Sequence, residues 1–156
     1  MTEKKILIVD YDNASLELLS QLFRSHRFEV ITATDGLTAF EKFKEEKPDA
    51  VVLEAILPKI HGFDLTKRIS EETHGRVPVV IVTGLYRGPQ YRSEALSSFG
   101  ASDYFEKPVD KEKLVRSVIN LLSEEEEIEE DLPDMDSVMR SLAERLGLEA
   151  MRENQD

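Results

Sequence analysis

Polar side chains stand at or just beyond the ends of four segments that read as buried strands. These segments span about residues 5–10, 50–53, 77–83 and 101–106, and the side chains are those of Asp10, Asp12, Glu54, Thr83 and Lys107. The carboxyl ends of parallel strands meet at one edge of a sheet, where α/β proteins bind their ligands. Any one of these residues alone would be an ordinary polar residue where a strand meets water. Three carboxylates, a hydroxyl and an ammonium in one crevice together favour a functional site.

The elements that must position these side chains alternate along the chain. Short apolar runs predict five strands, the second of them at 29–33. Apolar residues at helical spacing predict helices at 13–26, from Gly36 onward, and at 62–71, 90–99 and 110–122. Five repeats of strand and helix predict an α/β fold, with a parallel sheet, right-handed crossovers and helices on both faces.

Charge is distributed unevenly over the 156 residues. The chain has a net charge of −12; residues 124–156 hold 13 acidic and 3 basic residues, so the body is close to neutral. Nucleic-acid binding requires a basic patch, and none is evident, so no nucleic-acid partner is expected. No apolar stretch approaches the ~20 residues of a membrane span, and there is no cysteine. We expect no membrane association and a cytoplasmic location.

The C-terminal region departs from the strand–helix rhythm. Residues 123–134 form an acidic segment that we interpret as a linker. Within residues 135–156, apolar residues at helical spacing predict a short amphipathic helix: Met135, Val138, Met139, Leu142 and Leu146. Such a helix would cover its stripe against the body, a second copy or another protein. The alternative interpretation is a frayed tail without a role.

Residues 4–122 resemble the receiver domain of bacterial response regulators. The resemblance rests on several motifs, which are Ile6-Leu7-Ile8-Val9-Asp10, Leu57-Pro58 with Gly62, Val82-Thr83-Gly84, Gly100-Ala101-Ser102-Asp103-Tyr104 and Glu106-Lys107-Pro108. It implies a flavodoxin-like doubly wound fold, a strand order of 2-1-3-4-5, and a role in phosphorelay-type two-component signalling.

The resemblance also implies a chemistry for the site. Receiver domains bind Mg²⁺ on an acidic cluster, here Asp10 and Asp12, and accept a phosphoryl group at the position of Glu54. The positions of Thr83 and Lys107 contact the phosphoryl oxygens, and Tyr104 matches the switch aromatic. The implied protein-binding face consists of the fourth helix, fifth strand and fifth helix, at about residues 90–122. The predicted tail helix could dock on this face or extend it, and the chain could also form a homodimer.

Two departures from the family pattern lead us to predict an atypical receiver, or pseudo-receiver. Glu54 replaces the acceptor aspartate, and Tyr11 replaces one member of an acidic pair. Glutamate reaches further by about 1.5 Å, and an error near 1 Å in placement can cost in-line transfer about 100-fold. We therefore expect no phosphorylation at Glu54 and only weak Mg²⁺ binding by Asp10, Asp12 and Glu54.

We hypothesise that Lys107 instead pairs with Glu54 and holds the domain in one conformation. Protein–protein contacts would then carry the signal, and the absence of catalytic motifs predicts that the chain is not an enzyme. The first alternative is a phosphoryl-accepting response regulator with an altered acidic pocket. The second is a small-ligand binder or enzyme on the same fold.

Overall fold

A computed structural model describes residues 3–130 of the chain, with side chains through Glu124. The chain divides into a unit of residues 1–123 and a second unit of residues 124–156. Strands and helices alternate from the start. They are β1 (Lys5–Val9), α1 (Asn13–Ser25), β2 (Glu29–Ala33), α2 (Gly36–Glu46), β3 (Ala50–Leu53), α3 (Gly62–Thr73), β4 (Val79–Thr83), α4 (Pro89–Ser98), β5 (Asp103–Glu106) and α5 (Lys111–Glu130).

The five strands form one parallel sheet in the order β2-β1-β3-β4-β5. This order confirms the predicted flavodoxin-like doubly wound fold. The chain moves outward from β1 to the β2 edge and then crosses to β3, so β1 and β3 flank the point where the direction of winding reverses. Side chains that follow β1 and β3 are therefore brought together although they are distant in sequence.

Successive strand residues point to opposite faces of the sheet and build two apolar layers. On one face, Ile6, Ile8 and Val52 pack with Phe23 of α1 and Leu114 of α5. The other face packs against α2, α3 and α4, and its strand residues include Leu7, Val9, Val51, Leu53 and Ile81. The central strands are covered on both sides, which explains why they read as continuous apolar runs.

Helix α5 is longer than predicted. It continues to Glu130, beyond the expected end near Leu122 and into the segment interpreted as a linker. Glutamate is a good helix former, and no glycine or proline interrupts the chain before Pro133. The amphipathic helix predicted within residues 135–156 lies outside the described residues. Between residues 3 and 130, no helix combines the length and apolarity needed to cross a membrane.

Candidate functional site

The backbone fixes three of the predicted site residues at one edge of the sheet. Hydrogen bonds continue the parallel ladder just past the strand ends: Asp10 N donates to Ala33 O at 3.2 Å, Glu54 N to Val9 O at 2.9 Å, and Lys107 N to Thr83 O at 2.8 Å. The sheet itself, rather than a mobile loop, therefore sets where the side chains of Asp10, Glu54 and Lys107 start.

The Lys107 ammonium is the centre of the site. Its Nζ lies 3.0 Å from Asp10 Oδ2, 3.2 Å from Glu54 Oε1 and 3.1 Å from Ser15 Oγ. An ammonium group has three N–H donors, so these three acceptors satisfy it completely. The ion pair predicted between Lys107 and Glu54 is present, and Asp10 is a second, slightly closer partner.

Both carboxylates are buried, and each uses its two oxygens for different partners. Asp10 is 1% exposed and Glu54 is 5% exposed. The second oxygen of Asp10 accepts from Asp12 N at 3.0 Å, and that of Glu54 accepts from Ile56 N at 3.3 Å. Within the described part of the chain, every buried side-chain nitrogen and oxygen has a hydrogen-bond partner. The cluster is thus internally satisfied, with a formal charge of minus one.

Electrostatics favour the charged form of the lysine. Burial by itself lowers the pKa of Lys107, but the hydrogen bond and charge of Asp10, followed by those of Glu54, outweigh it and raise the pKa above its usual value. A raised lysine pKa means that the folded protein holds the proton more tightly than the unfolded chain. This contribution to stability is complete at neutral pH and is lost only in strongly alkaline solution.

The other predicted residues of the acidic pocket are not in this cluster. Asp12 is exposed and caps helix α1, where its side chain accepts from Ala14 N at 3.2 Å. The fully buried Thr83 hydroxyl accepts from Leu85 N at 3.4 Å. Tyr11, at the position of the missing acidic residue, is 54% exposed. Of the five side chains expected to share the crevice, three are in direct contact.

The residue that sequence reasoning missed is Ser15. It lies in the first turn of α1 and supplies the third acceptor for Lys107. Because Ser15 lies in a helix and not at a strand end, the strand pattern did not indicate this contact. A helix that starts three residues after Asp10 necessarily passes over the same edge of the sheet, and that was the available signal.

The donor set does not fit the Mg²⁺ that the resemblance implies. Magnesium requires about six oxygen ligands at roughly 2.0–2.1 Å. Here the oxygens of Asp10 and Glu54 are divided between the Lys107 ammonium and backbone N–H groups. Among residues 3–130, no three or more His, Cys, Asp or Glu side chains are arranged to hold a metal ion.

Tyr104, the predicted switch aromatic, points inward. It is buried, and its hydroxyl donates to Tyr86 O at 2.6 Å. The ring packs edge-on against Phe63 at a centroid distance of 6.3 Å. Tyr86 continues this contact towards helix α3, because its hydroxyl lies 3.3 Å from Nε2 of His61, the residue that caps that helix.

The Tyr104 phenol should titrate at unusually high pH. Burial, followed by the charges of Glu106 and Glu54, raises its pKa from 10.0 to about 12. Because the folded-state pKa is the higher one, its contribution to stability is complete below about pH 10 and is lost as pH rises towards 12. Subtracting the alkaline titration of Tyr104→Phe from that of the wild type isolates the absorbance of the Tyr104 tyrosinate, which should therefore develop near pH 12. Circular dichroism at each pH checks that both proteins remain folded. A missing component centred near pH 10 would contradict this environment.

The fold and this site together define a flavodoxin-like α/β protein with an acidic site at the winding reversal. The profile of the response regulator receiver domain matches residues 6–119, and the chain belongs to that family. It is 35% identical over 118 residues to the response regulator PleD of Caulobacter vibrioides, a match that covers 75% of this chain and 26% of PleD. The chain thus spans about a quarter of that relative's length.

Other relatives match over nearly their whole length. Protein PilH of Pseudomonas aeruginosa is 29% identical, with 76% of this chain and 98% of PilH covered. The crystal structure of a putative response regulator from Chloroflexus aurantiacus superposes with a TM-score of 0.72 at 30% identity, covering 78% of this chain and 99% of that one. These matches place the chain among receiver domains of two-component signalling.

Proposed function

We propose that this chain is an atypical receiver domain that is not phosphorylated and that signals through protein–protein contacts. The observation that carries the proposal is the ion pair between Lys107 and Glu54, the residue at the acceptor position. The buried carboxylate at this position is already paired internally, so it holds the domain in one conformation. No enzymatic activity of its own is part of this proposal.

The state of the Glu54 carboxylate supports this function. To accept a phosphoryl group, one of its oxygens would have to approach phosphorus in line, yet both oxygens already have partners. Breaking the ion pair would leave the Glu54 carboxylate without its cation while the anionic phosphoryl donor approaches it. Glutamate also places its oxygens about one carbon–carbon bond beyond those of aspartate, and such transfers tolerate little misplacement.

The loss of acidic character around Asp10 supports it as well. Phosphoryl transfer depends on cations that neutralise the charge developing on the phosphoryl oxygens. Tyr11 offers an exposed phenol where a carboxylate would be needed, and Asp12 is committed to capping α1. The remaining cation, Lys107, is fully occupied by its three acceptors.

The partner surface that we propose is the face formed by α4, β5 and α5. Family resemblance is the reason for this choice, and the predicted tail helix could extend the face. A second copy of the chain is the alternative partner. Comparing partner recovery by the intact chain and by a chain ending at Glu130, which keeps α5 whole, tests whether the residues after α5 contribute to recognition.

Phosphorylation itself provides the direct test. Incubated with acetyl phosphate and Mg²⁺, the wild-type chain should keep its unmodified intact mass. The double substitution Tyr11→Asp and Glu54→Asp restores the missing carboxylate and shortens the acceptor side chain to that of aspartate. This variant should therefore gain the mass of one phosphoryl group, in a reaction that requires Mg²⁺. Glu54→Asp alone is the matched control for acceptor length.

A phosphoryl group on wild-type Glu54 would overturn the proposal. It would favour the alternative, a phosphoryl-accepting regulator with an altered pocket. Beryllofluoride gives an independent readout, because it mimics the phosphoryl group without covalent transfer. It should shift the NMR signal of Thr83 in the double variant and leave that signal unchanged in the wild type.

A further inference from the structure

The loop between β4 and α4 is tied to the end of β5 by a reciprocal pair of hydrogen bonds. Arg87 Nη2 donates to Lys107 O at 2.6 Å, and Arg87 Nε donates to Gly84 O at 3.3 Å. In the opposite direction, Glu106 Oε2 accepts from Gly88 N at 2.8 Å. Two neighbouring residues of the loop therefore exchange side-chain-to-backbone bonds with two neighbouring residues of the strand end.

Each arm of this pair has a clear local role. Gly88 precedes α4, has a φ of 114°, and has no side chain to cap the helix. Glu106 supplies the missing acceptor from outside the helix, and a carboxylate near a helix N-terminus is favourable. Arg87 fixes the backbone carbonyl of Lys107, the residue whose ammonium holds Asp10 and Glu54.

Helix α4 depends on such polar contacts because it buries little. Ala95 is the one residue within Pro89–Ser98 that is buried. The helix is further held by Arg92, which lies 2.8 Å from Tyr104 O and 3.0 Å from an oxygen of Asp103. Exposed polar contacts of this kind are individually weak, so they can open at a small cost in free energy.

We propose that Arg87 and Glu106 form a latch that positions Lys107 and the start of α4 together. With the latch closed, the carbonyl of Lys107 and the N–H of Gly88 are fixed, and the lysine side chain is aimed at Glu54. Opening the latch removes the hydrogen bonds to Gly88 N and Lys107 O, so the first turn of α4 and the Lys107 side chain become more mobile together. This inference rests on the proposed function, because it assigns control over the ion pair that replaces phosphorylation.

Amide hydrogen exchange and NMR test the latch in the full chain. Arg87→Ala should speed exchange at the Gly88 and Lys107 amides about five-fold, the effect of losing one hydrogen bond of ordinary strength. It should also shift and broaden the ¹⁵N signal of the Lys107 ammonium. Glu106→Ala should produce the same changes by removing the other arm. Arg87→Lys should retain wild-type behaviour only in part, because lysine cannot make both hydrogen bonds of the arginine.

A matched control is Arg116→Ala. Arg116 is an exposed arginine of α5 that pairs with Glu112 at 3.1 Å, so its loss removes a charge without touching the latch. Unchanged Lys107 ammonium signals in both latch variants would overturn the proposal, even if Gly88 exchanged faster. Neither amide exchange nor the ammonium signal involves phosphate. A phosphorylated Glu54 would therefore contradict the proposed function, whereas these two measurements would still show whether the latch exists.

Discussion

Replacing Lys107 with methionine is expected to destabilise the domain by about 3 kcal/mol. Removing one partner of a buried ion pair typically costs about 3–5 kcal/mol, because the other partner stays buried and uncompensated. Here two carboxylates, Asp10 and Glu54, would lose their common cation. The lysine side chain is itself 27% exposed, which places the cost at the lower end of that range. Urea unfolding of both proteins at neutral pH measures it.

Lys5→Met is the matched control for this experiment. The side chain of Lys5 is 25% exposed, close to that of Lys107, but its partner Glu46 is 47% exposed. Exposed pairs contribute at most about 1 kcal/mol, so this variant should remain near wild-type stability. Adding Asp10→Asn and Glu54→Gln to Lys107→Met should recover most of the loss. Equal destabilisation by the two single lysine variants would contradict the assigned role of the site.

Gly62→Ala is expected to disturb the site through the end of β3 and to lower the stability of the domain by about 1–3 kcal/mol, a loss typical of overpacking. A β-carbon at Gly62 would lie 2.3 Å from Glu54 O and 2.7 Å from Ala55 Cα. These are backbone atoms at the end of β3, so they cannot rotate away as a side chain could. The strand end would have to shift, and Glu54 with it. Urea unfolding measures the loss, and the Lys107 ammonium signal should move as well.

Gly84→Ala provides the contrast. The nearest atom to a β-carbon there is Lys107 Cδ at 3.8 Å, which is ordinary van der Waals contact. This variant should keep both the stability and the ammonium signal of the wild type. A Gly62→Ala protein with an unchanged ammonium signal would show that the strand end and the site are not coupled.

Much of the fold was predictable because the strands are buried on both faces. Runs such as Val79–Thr83 contain no polar residue before their last position, so their type and approximate limits were evident. The strand order came from the family resemblance, because periodicity identifies strands without saying which are neighbours. The end of α5 was missed because an acidic block can be either a solvated linker or a helix, and local composition does not separate the two.

The site was predictable in its members more than in its contacts. Strand ends brought Asp10, Glu54 and Lys107 together as expected, since the backbone ladder continues to each of them. Which acceptors a flexible lysine selects depends on side-chain geometry. The early start of α1 places Ser15 near this edge of the sheet, but the contact itself and the closer pairing with Asp10 are evident only from the structure. The sequence presents Asp12 as a candidate Mg²⁺ ligand, whereas the structure shows it as the N-cap of α1.

The aromatic contacts around Tyr86 make the intrinsic tyrosine fluorescence of the protein a probe of this region. The chain has four tyrosines and no tryptophan. Tyr86 lies 5.1 Å from Tyr91 and 5.7 Å from Phe63, which also contacts Tyr104. Three of the four emitting side chains thus surround the junction of β4, α4 and β5. The intrinsic fluorescence of the unlabelled protein should report rearrangements at that junction, and Tyr11→Phe would remove the contribution of the fourth tyrosine.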